Sequence, residues 1–199
     1  MGRKVTIHQP EHFPYMGFFQ KIQSADLYIV LDNVKFRKNY FQNRNKFLNN
    51  NGVEEWFTVP VHKKANSMLI KDIVVSESPI WRKKIVNKLK QNLHVDLTEI
   101  YDCDTLLDIN LKGIEWCLKK LDIDTPMVLA SSLGVVGKKS ELLANIVKEV
   151  GGTEYISGPS GREYLEKDYF DQTNITFFEP NAKNYYSTLY NIQKGVRNV

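Results

Sequence analysis

The stretch KVTIHQPEHFPYMGFFQKIQSADLYIVLDN, residues 4–33, decides the fold. Residues 4–9 predict a short strand. Pro10 and Pro14 then break regular structure, because proline has no amide proton and a fixed φ. Over residues 16–25, Phe18, Ile22 and Ala25 fall on one helical face. Residues 26–33 are apolar and β-branched, the pattern of a strand buried on both faces of a parallel sheet. Strand, short helix, strand is a βαβ unit with a right-handed crossover.

Working outward, residues 33–52 are polar and longer than most loops of compact domains, which predicts a functional or partly structured loop. Strands are expected at 56–61 and 70–76. Ser78 and Pro79 form a helix start, with serine as N-cap and proline at N1, and Trp81, Ile85, Leu89 and Leu93 follow at every fourth residue. Thr105 opens a second helix, where Asp108 makes a near-capping box. A strand at 126–132, a helix at 140–150 stopped by Gly151 and Gly152, and strands at 153–157 and 174–179 complete the pattern. Residues 195–199 carry no stop signal and are expected to fray. Residues 1–199 read as a single α/β domain, a three-layer sandwich with a mainly parallel sheet, Rossmann-like.

The chain of 199 residues is 42% hydrophobic and 25% charged, a globular balance that argues against disorder. Its longest apolar runs, 28–31 and 127–130, are far too short to cross a bilayer. The start passes directly into a polar, proline-containing loop, which predicts no signal peptide, no membrane insertion and a cytoplasmic protein. The opening residues fit a loose N-myristoylation pattern, set aside because residues 4–9 already read as a buried strand. Cys117 lies on an apolar helical stripe and Cys103 sits between Asp102 and Asp104, so both are expected to be reduced and dispensable. The net charge is +4, and residues 35–46 are basic without an acidic residue. This points to an anionic partner, a phosphate-bearing small molecule or nucleic acid, against the alternative of a solvated loop.

Three segments are candidates for chemistry. The first runs from His8 to Gly17, between a strand and a helix, where open α/β sheets bind ligands. His8 and His12 can exchange protons near neutral pH, and Gln9, Tyr15 and Gly17 are candidate substrate contacts. A metal held by His8, His12 and Asp32 is disfavoured, since the two prolines keep the histidines off one helical face. The second segment begins with Asp32, at a strand end, and continues through Lys38, Asn43 and Arg44. Arg44 can grip a phosphate with two parallel bonds and Lys38 supplies a point charge. Tyr40 can stack on a base, whereas Phe36 and Phe41 are expected to pin the loop to the core. The third segment, with Ser157, Gly158 and Gly161, follows a strand and is small enough to wrap phosphate. His8, Asp32 and Arg44 are expected to face one pocket.

Together the segments resemble the WbqC-like protein family of bacteria. The likeness rests on Gln9-Pro10, Phe13-Pro14-Tyr15-x-Gly17-Phe18-Phe19, Asp26, Asp32 to Val34, Lys38, Asn43-Arg44, Trp56 with Val59-Pro60, Trp81, and Tyr155 to Gly158 with Gly161 and Tyr164. It implies a cytoplasmic step in surface-polysaccharide or O-antigen synthesis that modifies a nucleotide-activated amino sugar by acyl or aminoacyl transfer, with aminoacyl-tRNA as one possible donor. No cofactor is implied. In that reading His8 or Asp32 takes the proton of the attacking amine, Lys38 and Arg44 hold the diphosphate, and 157–161 closes the site with backbone amides. A more distant likeness is to HIGH-type nucleotidyltransferases, such as pantothenate synthetases. Their Gly-His signature is here Gly17-Phe18, so the fold could persist without adenylyl transfer. Nucleotidyl transfer and non-catalytic RNA or tRNA binding through the basic loop are the other two readings.

Overall fold

The computed structural model describes residues 2–196. Met1, where the acylation pattern begins, and residues 197–199 of the C-terminal run lie outside them. The elements are β1 (Arg3–His8), α1 (Met16–Gln23), β2 (Leu27–Val30), β3 (Arg44–Leu48), β4 (Glu54–Thr58), α2 (Ile80–Leu93), α3 (Thr98–Tyr101), α4 (Leu106–Lys120), β5 (Met127–Leu129), α5 (Lys139–Glu149), β6 (Gly152–Ser157), α6 (Gly161–Tyr164), β7 (Asn174–Phe177) and α7 (Thr188–Gln193). Where the sequence reads as a single domain, the chain divides into two compact units interleaved along its length.

The first unit draws on Met1–Gln9, Gly17–Asp32 and Asp124–Asn181. Its five strands are all parallel, in the order β5-β2-β1-β6-β7. The chain steps one way from β1 to β2 and the opposite way from β5 to β6, so right-handed crossovers place α1 and α5 on opposite faces. This is the expected Rossmann-like three-layer sandwich. Every residue of β2 is buried, as its unbroken apolar run requires. Phe18, Phe19 and Ile22 of α1 and Leu142, Leu143, Ile146 and Val147 of α5 are buried too. Gly151, with φ +66°, ends α5, and a side chain at Gly152 would stand 2.7 Å from both Val147 and Val5. The glycine pair thus stops the helix and allows helix and strand to pack closely. At the same end of β1, Asp26 Oδ2 accepts from the Lys4 amide at 2.7 Å.

The second unit draws on Pro10–Met16, Asn33–Ile123 and Ala182–Val199. The region 33–52 proves not to be all loop, because β3 lies within it and pairs antiparallel with β4. Residues 70–76 form no regular strand. A 3-10 turn spans Ile70–Asp72, and only single bridges join Val61 to Val75 and Val74 to Thr105. Ser78 does not cap α2, since Pro79 occupies the N-cap position without a side-chain bond. Thr105 does cap α4: its hydroxyl accepts from the Asp108 amide at 3.1 Å and donates to Asp108 Oδ2 at 2.6 Å. The core gathers Phe13, Phe47, Phe57, Leu89, Tyr101 and Ile109.

Candidate functional site

In the sheet unit, strand order reverses between β1 and β6, the position where open α/β sheets take ligands. The register that sets Thr6 opposite Ile156 brings His8, the last residue of β1, level with Gly158, the first residue after β6. His8 also pairs with Val30, and its carbonyl accepts from the Leu31 amide at 2.8 Å and from the Tyr28 hydroxyl at 3.3 Å. His8 and Asp32 therefore belong to the same edge of the sheet, at the ends of neighbouring strands.

His8 Nδ1 lies 3.0 Å from the Gln9 carbonyl. A carbonyl only accepts, so Nδ1 carries the proton and Nε2 keeps its lone pair. The ring packs edge-on to Phe18. Burial, and then the charge of Lys21, lower its pKa to about 3, against a smaller opposing effect of the Gln9 bond. The imidazole is neutral at physiological pH. Lys21, nearly wholly buried, is a site residue that sequence reasoning missed. Its signal was its place three residues after Phe18, on the helix's inner side.

Asp32 is fully buried. Its Oδ1 accepts from the Ser131 amide at 2.9 Å and its Oδ2 from the Ser131 hydroxyl at 2.6 Å, so the carboxylate ties the end of β2 to the turn after β5. Ser157 is buried and Gly158 half-buried. A side chain at Gly161 would come within 2.1 Å of Ser157 Oγ, whereas one at Gly158 would meet nothing within 4 Å. The loop is tight at Gly161 and open at Gly158. Gln9 is half-buried and Gly17 is buried in the first turn of α1.

The remaining candidates belong to the second unit. His12 is fully buried among Phe13, Phe57 and Tyr101, and both ring nitrogens are engaged, by Asn110 and by Tyr101. Burial lowers its pKa to about 4. It is a core histidine, with no nitrogen left for a substrate. Asn43 is buried as well, its amide donating to the Val59 carbonyl at 2.9 Å and accepting from the Asn39 amide at 3.1 Å. It shapes the loop from within. Tyr15 is half-buried beside Tyr185, and burial raises its phenol to about 12. Lys38 is exposed, its backbone held by Asn66. Arg44 lays its guanidinium 4.3 Å from the Trp56 ring centroid. Phe36 is buried, as expected of a pinning residue, and Phe41 is half-buried.

The model of the WbqC-like protein family matches residues 9–192. An uncharacterized protein of Mycobacterium tuberculosis is 28% identical to the chain over 203 residues, which cover 94% of this chain and 87% of that protein. No solved structure matches the chain.

Proposed function

The chain belongs to the WbqC-like protein family, and from that premise we propose that it is a cytoplasmic transferase that acylates or aminoacylates a nucleotide-activated amino sugar for surface-polysaccharide synthesis. The observation that carries this reading is the strand-order reversal at β1 and β6, edged by His8 and by the glycine loop that is open at Gly158. Nucleotide phosphates favour such a crevice, because glycine lets backbone amides approach them closely. Among the described residues no helix is long and apolar enough to cross a membrane.

In the proposed reaction the sugar amine lone pair attacks the carbonyl carbon of an acyl ester. His8 Nε2 takes the amine proton and returns it to the ester oxygen as the carbon–oxygen bond breaks, leaving an amide and an alcohol. Burial first, and the charge of Lys21 second, make His8 a weak base in the free protein. A bound phosphate stabilises the imidazolium by opposing the Lys21 charge, which raises the imidazole above its value in the free protein. Asp32, committed to Ser131, positions the neighbouring strand end.

Gly158 supplies the test. A Gly158→Leu side chain meets nothing within 4 Å of its first carbon, so the fold should tolerate it while the crevice fills. Calorimetric titration with nucleoside diphosphate sugars should show binding that the variant weakens roughly tenfold or more, about 1.4 kcal/mol, at an unchanged melting temperature. Equal affinity in the variant, or binding of ATP but of no nucleotide sugar, would overturn the proposal.

A further inference from the structure

The β3–β4 ladder sets Arg44 opposite Thr58 and Lys46 opposite Trp56, so Arg44, Lys46 and Trp56 share one face, while Phe47 and Phe57 are buried on the other. That face continues in both directions as an unbroken succession of cations and rings, all within the second unit. Arg37 lies 4.7 Å from the Tyr40 centroid. Tyr40 contacts Phe41 at 5.3 Å and Phe41 contacts Trp56 at 6.4 Å. Arg44 covers Trp56, and Lys46 stands between Trp56 at 5.8 Å and Tyr186 at 5.7 Å. Tyr186 meets Tyr190 at 5.4 Å, and Lys194 lies 5.8 Å from Tyr190. Trp56 and Tyr40 are exposed at 37% and 43%. Glu54 pairs with Lys46 at 2.8 Å and offsets part of the charge.

We propose that this strip is a binding surface for single-stranded nucleic acid. Flat rings at successive positions accept unstacked bases whatever their sequence, and cations between them meet the backbone phosphates. A second observation points the same way. Arg44 Nε is shielded from solvent and meets no acceptor among the described residues, so the guanidinium over Trp56 keeps an unmet donor, which a phosphate oxygen can satisfy once the side chain shifts. A duplex keeps its bases inside and cannot use the rings. The proposal goes beyond the sheet-unit reading and stands independently of it. It reassigns Arg44 from a diphosphate grip to this strip.

The test is fluorescence anisotropy with a labelled oligouridylate of about twelve nucleotides, competed by an RNA duplex, heparin and a nucleoside diphosphate sugar. The single strand should bind, and the duplex and the sugar should not displace it. Trp56→Ala should weaken binding about 5- to 150-fold, the range for losing one stacked base, without changing the salt dependence. Arg37→Ala and Lys194→Ala, both at exposed positions, should each flatten the logarithmic salt slope by about 0.7, with unchanged melting temperatures. Displacement by heparin or duplex as effective as by unlabelled single strand would reduce the strip to a general polyanion surface and overturn the proposal. So would Trp56→Ala binding as tightly as the parent. Failure of the nucleotide sugar to bind anywhere would count against the proposed transferase alone.

Discussion

Asn110 fixes the protonation of His12 across 98 residues of chain. The Asn110 amide nitrogen donates to the Pro10 carbonyl at 3.1 Å and the Gln42 carbonyl at 2.8 Å. Its oxygen, 3.2 Å from His12 Nδ1, must therefore be the acceptor, so Nδ1 carries the proton. His12 Nε2 then accepts from the Tyr101 hydroxyl at 3.1 Å. The network is complete only with a neutral ring.

Acid should therefore unfold the protein early. His12 titrates near 6.5 when unfolded and at about 4 when folded. Between those values the unfolded chain binds more protons, so stability falls as pH falls through this window. The loss reaches roughly 3 kcal/mol by pH 4. His8, lowered to about 3, adds a loss of its own over the same window and continues it towards pH 3. Urea melts at pH 7.5, 5.5 and 4.5 measure it, and His12→Gln, which cannot titrate, should remove its share of the slope. A flat stability profile across this range would contradict the neutral network.

Ser131→Ala should destabilise the sheet unit by about 1.5–3 kcal/mol, the usual worth of a hydrogen bond to a charged group, because Asp32 Oδ2 loses its 2.6 Å donor. Asp32→Asn should lower the melting temperature comparably and leave residual transfer activity. If Asp32→Asn instead melts like the parent and abolishes transfer, Asp32 and not His8 is the base.

Gly161→Ala should be costly even though alanine is small. Its methyl group would stand 2.1 Å from Ser157 Oγ and 3.1 Å from Leu165, and relieving such overpacking typically costs about 1–3 kcal/mol. Thermal melts should show that loss, in contrast to the tolerated Gly158→Leu.

Cys117 is fully buried and burial pushes its thiol pKa well up, whereas Cys103 is half-buried. A thiol-specific reagent should label Cys103 in the native protein and Cys117 only on unfolding. Cys103→Ser should retain activity. Rapid native labelling of Cys117 would contradict its burial.

Residues 4–33 were sufficient to identify the βαβ start, because strand, proline break and helical stripe are periodic features that the chain carries locally. The Thr105 cap and the Gly151-Gly152 stop were legible for the same reason, since each cap is satisfied within a few residues of itself. His8 and Asp32 could be placed at strand ends, but what their side chains do could not, because the partners Lys21 and Ser131 come from other elements. β3 was hidden because Asn45 occupies an inward position that a sequence pattern reserves for an apolar residue. It is buried only because its amide donates to the Phe13 carbonyl at 2.7 Å, 32 residues away. His12 and Asn43 looked like site residues for the converse reason, as polar side chains whose bonding partners are remote. The ring-and-cation strip joins residues 37–56 to 186–194, and only tertiary folding could bring these together. Local periodicity determined the class of fold, whereas long-range hydrogen bonding and packing decided which polar residues remain open to a ligand.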